Sequence, residues 1–186
     1  MNNVLNPIQE ETIKETEECT EAHPVALECR VIPHASLIEE KLRIYLVNRQ
    51  NRFVLKNFYI DRWECDVFSV AGSGLTNEYE VKRTLLDYKK DFTKKDGDLR
   101  KHELIKDGKR TNKFWYVIPE EWSVEIPSYA GIIRYRYNGN EISYVHKTRE
   151  AKVLHKRRLL DDNKMLYNIA LKCYYRLPSG RASVSV

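Results

Sequence analysis

The sequence contains no long apolar run, because no stretch of its 186 residues approaches the ~20 apolar residues that a membrane-spanning helix requires. The N-terminus also lacks the pattern of a secretory signal peptide, so we expect a soluble protein of the cytoplasm with no membrane partner. Cysteine is scarce and scattered, with no C-x-x-C pair and no histidine at zinc-ligand spacing; the four cysteines are Cys19, Cys29, Cys65 and Cys173. In a reducing compartment we expect free thiols, although the spacing leaves a Cys19–Cys29 bridge open.

Repeats and low-complexity tracts are also absent, and the composition is that of a globular protein with a charged, aromatic surface. The length suits one domain with a real core. The first 30 residues carry seven glutamates against Lys14 and Arg30, a net charge of −5, so the total of +5 leaves +10 on the other 156 residues. We predict an acidic flexible segment at 1–30, a folded domain at 31–178 and a flexible end at 179–186. A body this basic is typical of proteins that bind a polyanion such as DNA.

The apolar periodicity predicts a mixed α/β domain with one central sheet. The first helix begins at Ser36, with Glu39 completing a capping box, and its apolar stripe is formed by Ile38, Leu42, Tyr45 and Leu46. Strands are predicted at 52–60, 62–71, 75–83, 113–118, 131–137 and 141–146. Further helices are predicted at 84–92, at 94–113 as a solvated charged helix, and at 156–177 as a closing helix.

The second and third strands are joined by the tight turn Gly72-Ser73-Gly74. If Ala71 pairs with Leu75, Asp66 lies opposite Glu80, and opposed residues share a face with their Cβ atoms about 5 Å apart. One face then carries the charged side chains Glu64, Asp66, Glu78, Glu80 and Lys82. The other face carries Trp63, Cys65, Val67, Ala71, Leu75, Tyr79 and Val81.

Two interpretations of this charged face stay open. Facing carboxylates repel each other, and a divalent cation such as Mg²⁺ would reverse that penalty by binding both. Lys82, one pleat beyond Glu80, would then orient a water and stabilise negative charge on a phosphate. The alternative is the solvated outer face of an ordinary amphipathic hairpin.

A helix with a glutamate, a strand, an aspartate on the second strand, a hairpin, Glu-x-Lys on the third strand and a helix follow in that order over about Ser36–Tyr144. This order resembles the PD-(D/E)XK nuclease superfamily, with Glu39, Asp66 and Glu80-Val81-Lys82 as the matching residues. Within that superfamily the chain is most similar to the small stand-alone branch that includes the MmcB-type DNA-repair proteins. The segments that carry this similarity are TNEYEVKRTLLDYKKDF, KHELIKDGKRTNKFWYVIPEEW and YAGIIRY.

The resemblance implies a restriction-endonuclease-like domain with a central mixed sheet flanked by helices. It implies a DNA endonuclease that hydrolyses phosphodiester bonds with Mg²⁺ or Mn²⁺ in DNA repair, recombination or mobile-element biology. Asp66 and Glu80 would bind the metal together with the Val81 carbonyl, and Lys82 would position and activate the attacking water. Glu39 would reach the site from the first helix; Glu40 is the alternative, and the angular position favours Glu39. Cys65 stands where the family has proline.

A basic run with interleaved Tyr88 and Phe92 follows the third strand. The residues that we predict to contact nucleic acid are Arg83, Lys89, Lys90, Lys94, Lys95, Arg100, Lys101 and His102. The alternative is a solubilising surface that is balanced by nearby aspartates. The resemblance also allows a homodimer, because small nucleases of this type often cut as dimers.

Two functions compete with a nuclease. One is a non-catalytic nucleic-acid-binding protein that retains the nuclease fold. The other is an adaptor whose acidic N-terminal segment binds a basic partner.

Overall fold

A six-stranded mixed sheet organises the part of the chain that the structure, a computed structural model, describes, which is residues 32–176. The predicted terminal segments, 1–30 and 179–186, lie outside these residues. No helix within 32–176 is long and apolar enough to cross a membrane.

The helices are α1 (Ala35–Asn48), α2 (Leu85–Asp91), α3 (Lys101–Lys106) and α4 (Asn163–Arg176), with a 3₁₀ turn at Leu159–Asp161. The strands are β1 (Phe53–Ile60), β2 (Trp63–Val70), β3 (Thr76–Val81), β4 (Lys95–Asp96), β5 (Leu99–Arg100), β6 (Lys113–Pro119), β7 (Gly131–Tyr137) and β8 (Ile142–Arg149). The large sheet has the order β1-β2-β3-β6-β7-β8, and β4 and β5 form a separate small hairpin. β1, β2 and β3 are antiparallel, β6 is parallel to both β3 and β7, and β8 returns antiparallel to β7. The predicted mixed α/β domain with one central sheet is confirmed.

The predicted hairpin register is also confirmed. Val67 pairs with Tyr79, and the Ala71 N–H donates to the Leu75 carbonyl at 2.8 Å. The turn closes through Gly74, whose φ of +83° lies in the left-handed region that favours glycine. The pairing register of β2 and β3 is therefore the one predicted from the glycine turn and the alternation of side chains.

Three element predictions need correction. The region 94–113 is not one solvated helix, because Ile105 packs against Phe114 and draws the short α3 into the core behind the β4–β5 hairpin. The closing helix starts only at Asn163, because the Leu159 N–H is bound to the Gly74 carbonyl at 3.1 Å and holds the preceding chain against the β2–β3 turn. The cap of α1 is His34, whose Nδ1 accepts the Ser36 N–H at 3.3 Å; the capping box at Ser36 was wrong.

The core lies on both sides of the sheet. α1 covers the side formed by Val67, Tyr79, Val81 and Trp115, which agrees with the predicted apolar face. On the other side, α4 covers β1 and β2 near Phe68, and α2 and α3 cover β6.

The prediction for Cys65 was wrong, because this residue packs with Phe68 and not with Val67. The two-residue alternation of β1 is interrupted at Asn57, whose φ is +51°. The buried side chains therefore lie at the odd-numbered Leu55 before it and at the even-numbered Phe58 after it. The alternation of side chains on the neighbouring strand β2 is interrupted at the same level of the sheet, so the Cys65 side chain lies on the side of the sheet opposite α1.

The close approach of β6 and β7 requires glycine at position 131. A Cβ atom on Gly131 would overlap the Trp115 ring, which is buried, stacks on Tyr79 and donates from Nε1 to Asn77. We expect Gly131→Ala to lower the free energy of unfolding by about 1–3 kcal/mol through overpacking, measured by urea denaturation. Gly72→Ala is the control, because the nearest atom to its Cβ is 3.9 Å away; equal losses in both variants would contradict this account.

Candidate active site

The candidate site lies where β2 and β3 stop pairing. The last paired residues are Val67 and Tyr79, and beyond them Oδ2 of Asp66 accepts the Val81 N–H at 2.6 Å. Burial and the negative charge of Glu80 raise the pKa of Asp66 to about 7, against the opposing effects of the Val81 N–H and of Lys82. The structure thus brings the predicted residues Asp66, Glu80, Val81 and Lys82 into one electrostatic group.

Glu39 reaches this group from α1. It is only 8% exposed, and burial raises its pKa although Lys56 opposes this from 4.0 Å. Its own charge contributes to the raised pKa of Asp66. Glu40 has a more exposed side chain, at 44%, and pairs with Arg43 at 2.7 Å and with Lys56 at 3.6 Å. The geometry therefore favours Glu39 over Glu40, as the angular position predicted.

Lys82 is held between two acids. Its side chain is 2% exposed, with Nζ at 3.2 Å from Glu80 and 3.1 Å from Asp91. Burial alone would lower the pKa of Lys82, but Glu80 and Asp91 outweigh it and raise the pKa. Lys82 is therefore a fixed ammonium ion that donates hydrogen bonds.

The other side of Glu80 is occupied by Lys101. Lys101 Nζ makes a very short contact with Oε1 of Glu80 and lies 3.5 Å from Glu78. Glu78 in turn accepts two hydrogen bonds from Arg110, at 2.8 and 3.0 Å. The result is a buried ionic network of three acids and three bases: Glu78, Glu80, Asp91, Lys82, Lys101 and Arg110.

This burial decides between the two interpretations of the charged face. Glu78 is 0% exposed and Glu80 2%, so a solvated outer face is wrong for these residues. Glu64, which alternation placed beside them, is exposed. A charge enters the interior only when it is paired, and removing one partner of such a pair typically costs about 3–5 kcal/mol.

Asp91 is the most heavily bound acid of the network. Its oxygens contact Lys82, Lys94, His102 and Tyr116, each within 3.1 Å. Burial would raise the pKa of Asp91, but the His102 hydrogen bond and the lysine charges lower it strongly. The bases around Asp91 therefore favour its ionised form.

The predicted nucleic-acid contacts divide into three groups by their burial. Lys101 and His102 lie in the interior and bind acids of the protein, which corrects their assignment to a DNA-contacting surface. Lys94 is partly buried and paired with Asp91. The remaining predicted contacts stay on the surface: Arg83, Lys89, Lys90, Lys95 and Arg100.

A polar cavity of about 150 Å³ lies between the end of β1, Arg110 and the start of α4. Two of its basic side chains, Arg157 and Lys164, are paired with Asp162 and Asp61, each at 3.0 Å. This cavity is separate from the group around Asp66.

Sequence reasoning missed Asp91 and Arg110. Asp91 had a usable signal, because it lies three residues after Tyr88 and shares its helix face, which is the buried face of α2. Arg110 had none, because its partner Glu78 is 32 residues away in the chain.

A comparison with known protein families found no match, and neither did a comparison with curated protein sequences. Among solved structures, the fold is similar to that of a protein of unknown function from Silicibacter pomeroyi, with a TM-score of 0.60 and 14% sequence identity. The similarity covers 77% of this chain and 88% of that one. At this identity the likeness shows a shared fold alone.

The raised pKa of Asp66 predicts that its charge destabilises the metal-free protein. The pKa is 3.8 without the fold and about 7 within it, so the folded state retains a proton that the unfolded state has lost. The loss of folding stability that this causes is absent below pH 4, grows as the pH rises and is complete above pH 7. The full difference corresponds to about 4 kcal/mol, and solvent at this partly exposed carboxyl reduces it to ~1–3 kcal/mol.

We therefore expect Asp66→Asn to stabilise the protein by ~1–3 kcal/mol at pH 8, and by almost nothing at pH 4, in chelator-treated buffer. Asparagine keeps an acceptor for the Val81 N–H while removing the charge. Urea denaturation of both proteins at the two pH values measures this. Glu64→Gln, on the same strand but exposed, is the matched control, and a loss of stability in Asp66→Asn at pH 8 would refute the site's electrostatics.

Proposed function

We propose that the protein is a metal-dependent endonuclease that hydrolyses phosphodiester bonds of DNA. The observation that carries this proposal is the Asp66 carboxylate at the point where β2 and β3 separate. It accepts the N–H of Val81, the residue next to Glu80, and the charge of Glu80 raises its pKa, while Lys82 is held as an ammonium ion by Glu80. Two adjacent carboxylates and a fixed cation are what a phosphate-hydrolysing site needs to bind a divalent ion and to stabilise charge on the phosphate. The order of the elements agrees with the PD-(D/E)XK resemblance.

The donor set fits a magnesium-type ion. Within residues 32–176 no three histidine, cysteine or acidic side chains form a cage for a metal. Mg²⁺ does not require one, because it usually binds through one or two carboxylates together with waters and substrate phosphate oxygens. Asp66, Glu80 and the Val81 carbonyl would hold Mg²⁺ or Mn²⁺. When bound, the ion would act as a Lewis acid and lower the pKa of a water.

The protein's own residues have distinct roles in this proposal. Lys82 is protonated, so it serves as a hydrogen-bond donor to the phosphate and the water, not as the acceptor of a proton. Asp66 supplies the carboxylate whose charge is least neutralised, and Glu39 adds negative charge from α1.

DNA as the substrate is supported by charge. The +10 carried outside the first 30 residues includes the exposed Arg83, Lys89 and Lys90, which lie on or just before α2, the helix that follows Lys82. Exposed basic side chains beside a phosphodiesterase site suit contacts to the DNA backbone. A cytoplasmic location and a homodimer remain predictions.

One observation favours a second candidate function. Glu80 and Lys82 are each 2% exposed, and Lys101 and Asp91 already occupy their polar atoms. A closed ionic network of this kind also suits a non-catalytic nucleic-acid-binding protein, in which the charges hold the fold together.

Cleavage assays separate the two functions. We expect the protein to cut plasmid, single-stranded or branched DNA in Mg²⁺ or Mn²⁺, and Asp66→Asn and Lys82→Met to lower the rate by about 100-fold or more. Because Asp66→Asn is expected to be more stable than the wild type, its loss of cleavage would not reflect unfolding. Glu64→Gln should cleave normally.

Two results would count against the nuclease. DNA binding without cleavage under all these conditions would leave the binding protein as the better account. Cleavage that persists in both Asp66→Asn and Lys82→Met would refute the assignment of the site.

A further inference from the structure

We propose that Asp91 is the positioning residue of the site, which fixes the Lys82 ammonium for its contact with the phosphate. This inference rests on the proposed nuclease function. Asp91 comes from the last turn of α2 and is 0% exposed, so its carboxylate sits within the protein and not in solvent. It does not belong to the acids that would hold a metal.

The two oxygens of Asp91 have different partners. Oδ1 faces the lysines, with Lys82 Nζ at 3.1 Å and Lys94 Nζ at 2.9 Å. Oδ2 faces the scaffold, with Nε2 of His102 at 2.9 Å and the Tyr116 hydroxyl, which donates to it, at 2.9 Å. The scaffold bonds therefore fix the plane of the carboxylate and leave Oδ1 directed at Lys82.

The scaffold is itself held in place. The other ring nitrogen of His102, Nδ1, is 2.6 Å from the Tyr129 hydroxyl. The His102 ring stacks on Phe92 with centroids 4.7 Å apart, and it makes a T-shaped contact with Phe114 with centroids 5.7 Å apart. Two elements, α3 through His102 and β6 through Tyr116, thus determine the orientation of Asp91.

The need for Asp91 follows from the second partner of Lys82. Glu80 also holds Lys82, but Glu80 is one of the two carboxylates that would turn toward a metal ion. A lysine side chain has four rotatable bonds, so an ammonium group without a second fixed partner would sample several rotamers. Asp91 is the acid that keeps Lys82 in place while Glu80 is engaged elsewhere.

Asp87 does not replace Asp91 in this role. It lies on the same helix at 4.0 Å from Lys82 Nζ, but its side chain is 47% exposed. Charge pairs at such distance and exposure hold a side chain only weakly. Asp87→Asn is therefore a matched control for Asp91→Asn, with the same chemical change on the same helix.

The first test is kinetic. We expect Asp91→Asn to lower kcat for DNA cleavage about 10–100-fold and to change KM for DNA and the Mn²⁺ affinity less than about threefold, because Asp91 touches neither. Asp87→Asn should keep kcat within about twofold of the wild type. Tyr116→Phe, which removes one hydroxyl from Oδ2, should give a smaller loss of kcat and serves where Asp91→Asn does not fold. A wild-type kcat in a folded Asp91→Asn variant would overturn the inference. If Asp91→Asn does not fold, a wild-type kcat in Tyr116→Phe would overturn it.

The second test does not depend on cleavage. Lysine acetylation by an N-hydroxysuccinimide ester, followed by peptide mass spectrometry, measures how firmly each ammonium is held. We expect Lys82 to label at least ~10-fold faster in Asp91→Asn than in the wild type, whereas Lys101, which lies 3.9 Å from Asp91 but keeps its nearer partners Glu78 and Glu80, should accelerate by less than about twofold. Equal acceleration of both lysines would indicate general loosening and overturn the positioning role, as would an unchanged rate at Lys82. If the wild type cuts no DNA, the proposed function fails, and this labelling still decides whether Asp91 fixes Lys82.

Discussion

The pairing of Glu80 with Lys82 and Lys101 inside the protein is the interaction on which the rest of the site depends. These charges are out of water, so each must have a partner in the fold. Lys82 directly follows β3, the strand that carries Glu80, but Lys101 comes from α3, which follows α2 and the β4–β5 hairpin in the chain and returns to β3. The ionic contacts therefore constrain where these elements lie. A one-residue slip of β3 would place Tyr79 and Val81 among the charges and lose both the network and the α1 core.

Asp66 differs from the interior acids because it is not neutralised in the same way. Glu78 and Asp91 are surrounded by bases, which lower the pKa of each carboxyl against the effect of burial. For Asp66 burial prevails and raises the pKa, with Glu80 and Glu39 adding to it. Neighbouring carboxylates whose pKa values are moved in opposite directions are the usual basis for a division of labour in an active site. Here Glu78 and Asp91 pair with the buried lysine and arginine side chains, whereas the negative charge of Asp66 is left without an equivalent basic partner within residues 32–176.

The part of this arrangement that sequence could predict is the part determined by local rules. The glycine turn and the two-residue alternation gave the pairing of Val67 with Tyr79, and the helical angle distinguished Glu39 from Glu40. The interior position of Lys101 could not be predicted in this way, because its partner Glu80 is 21 residues distant and the surrounding segment is as charged as a surface helix. The side of Cys65 was missed because a left-handed residue, Asn57, on the neighbouring strand interrupts the alternation.

The closed network is compatible with a site that takes up a cation, because its bases have more than one partner. If the Glu80 carboxylate turned away, Lys101 would still have Glu78 at 3.5 Å and Lys82 would still have Asp91 at 3.1 Å. Neither buried lysine would be left unpaired, so the change would avoid most of the several kcal/mol that an orphaned interior charge costs. The second partners of Lys82 and Lys101 are therefore what would let Glu80 bind a cation, as the proposed function requires.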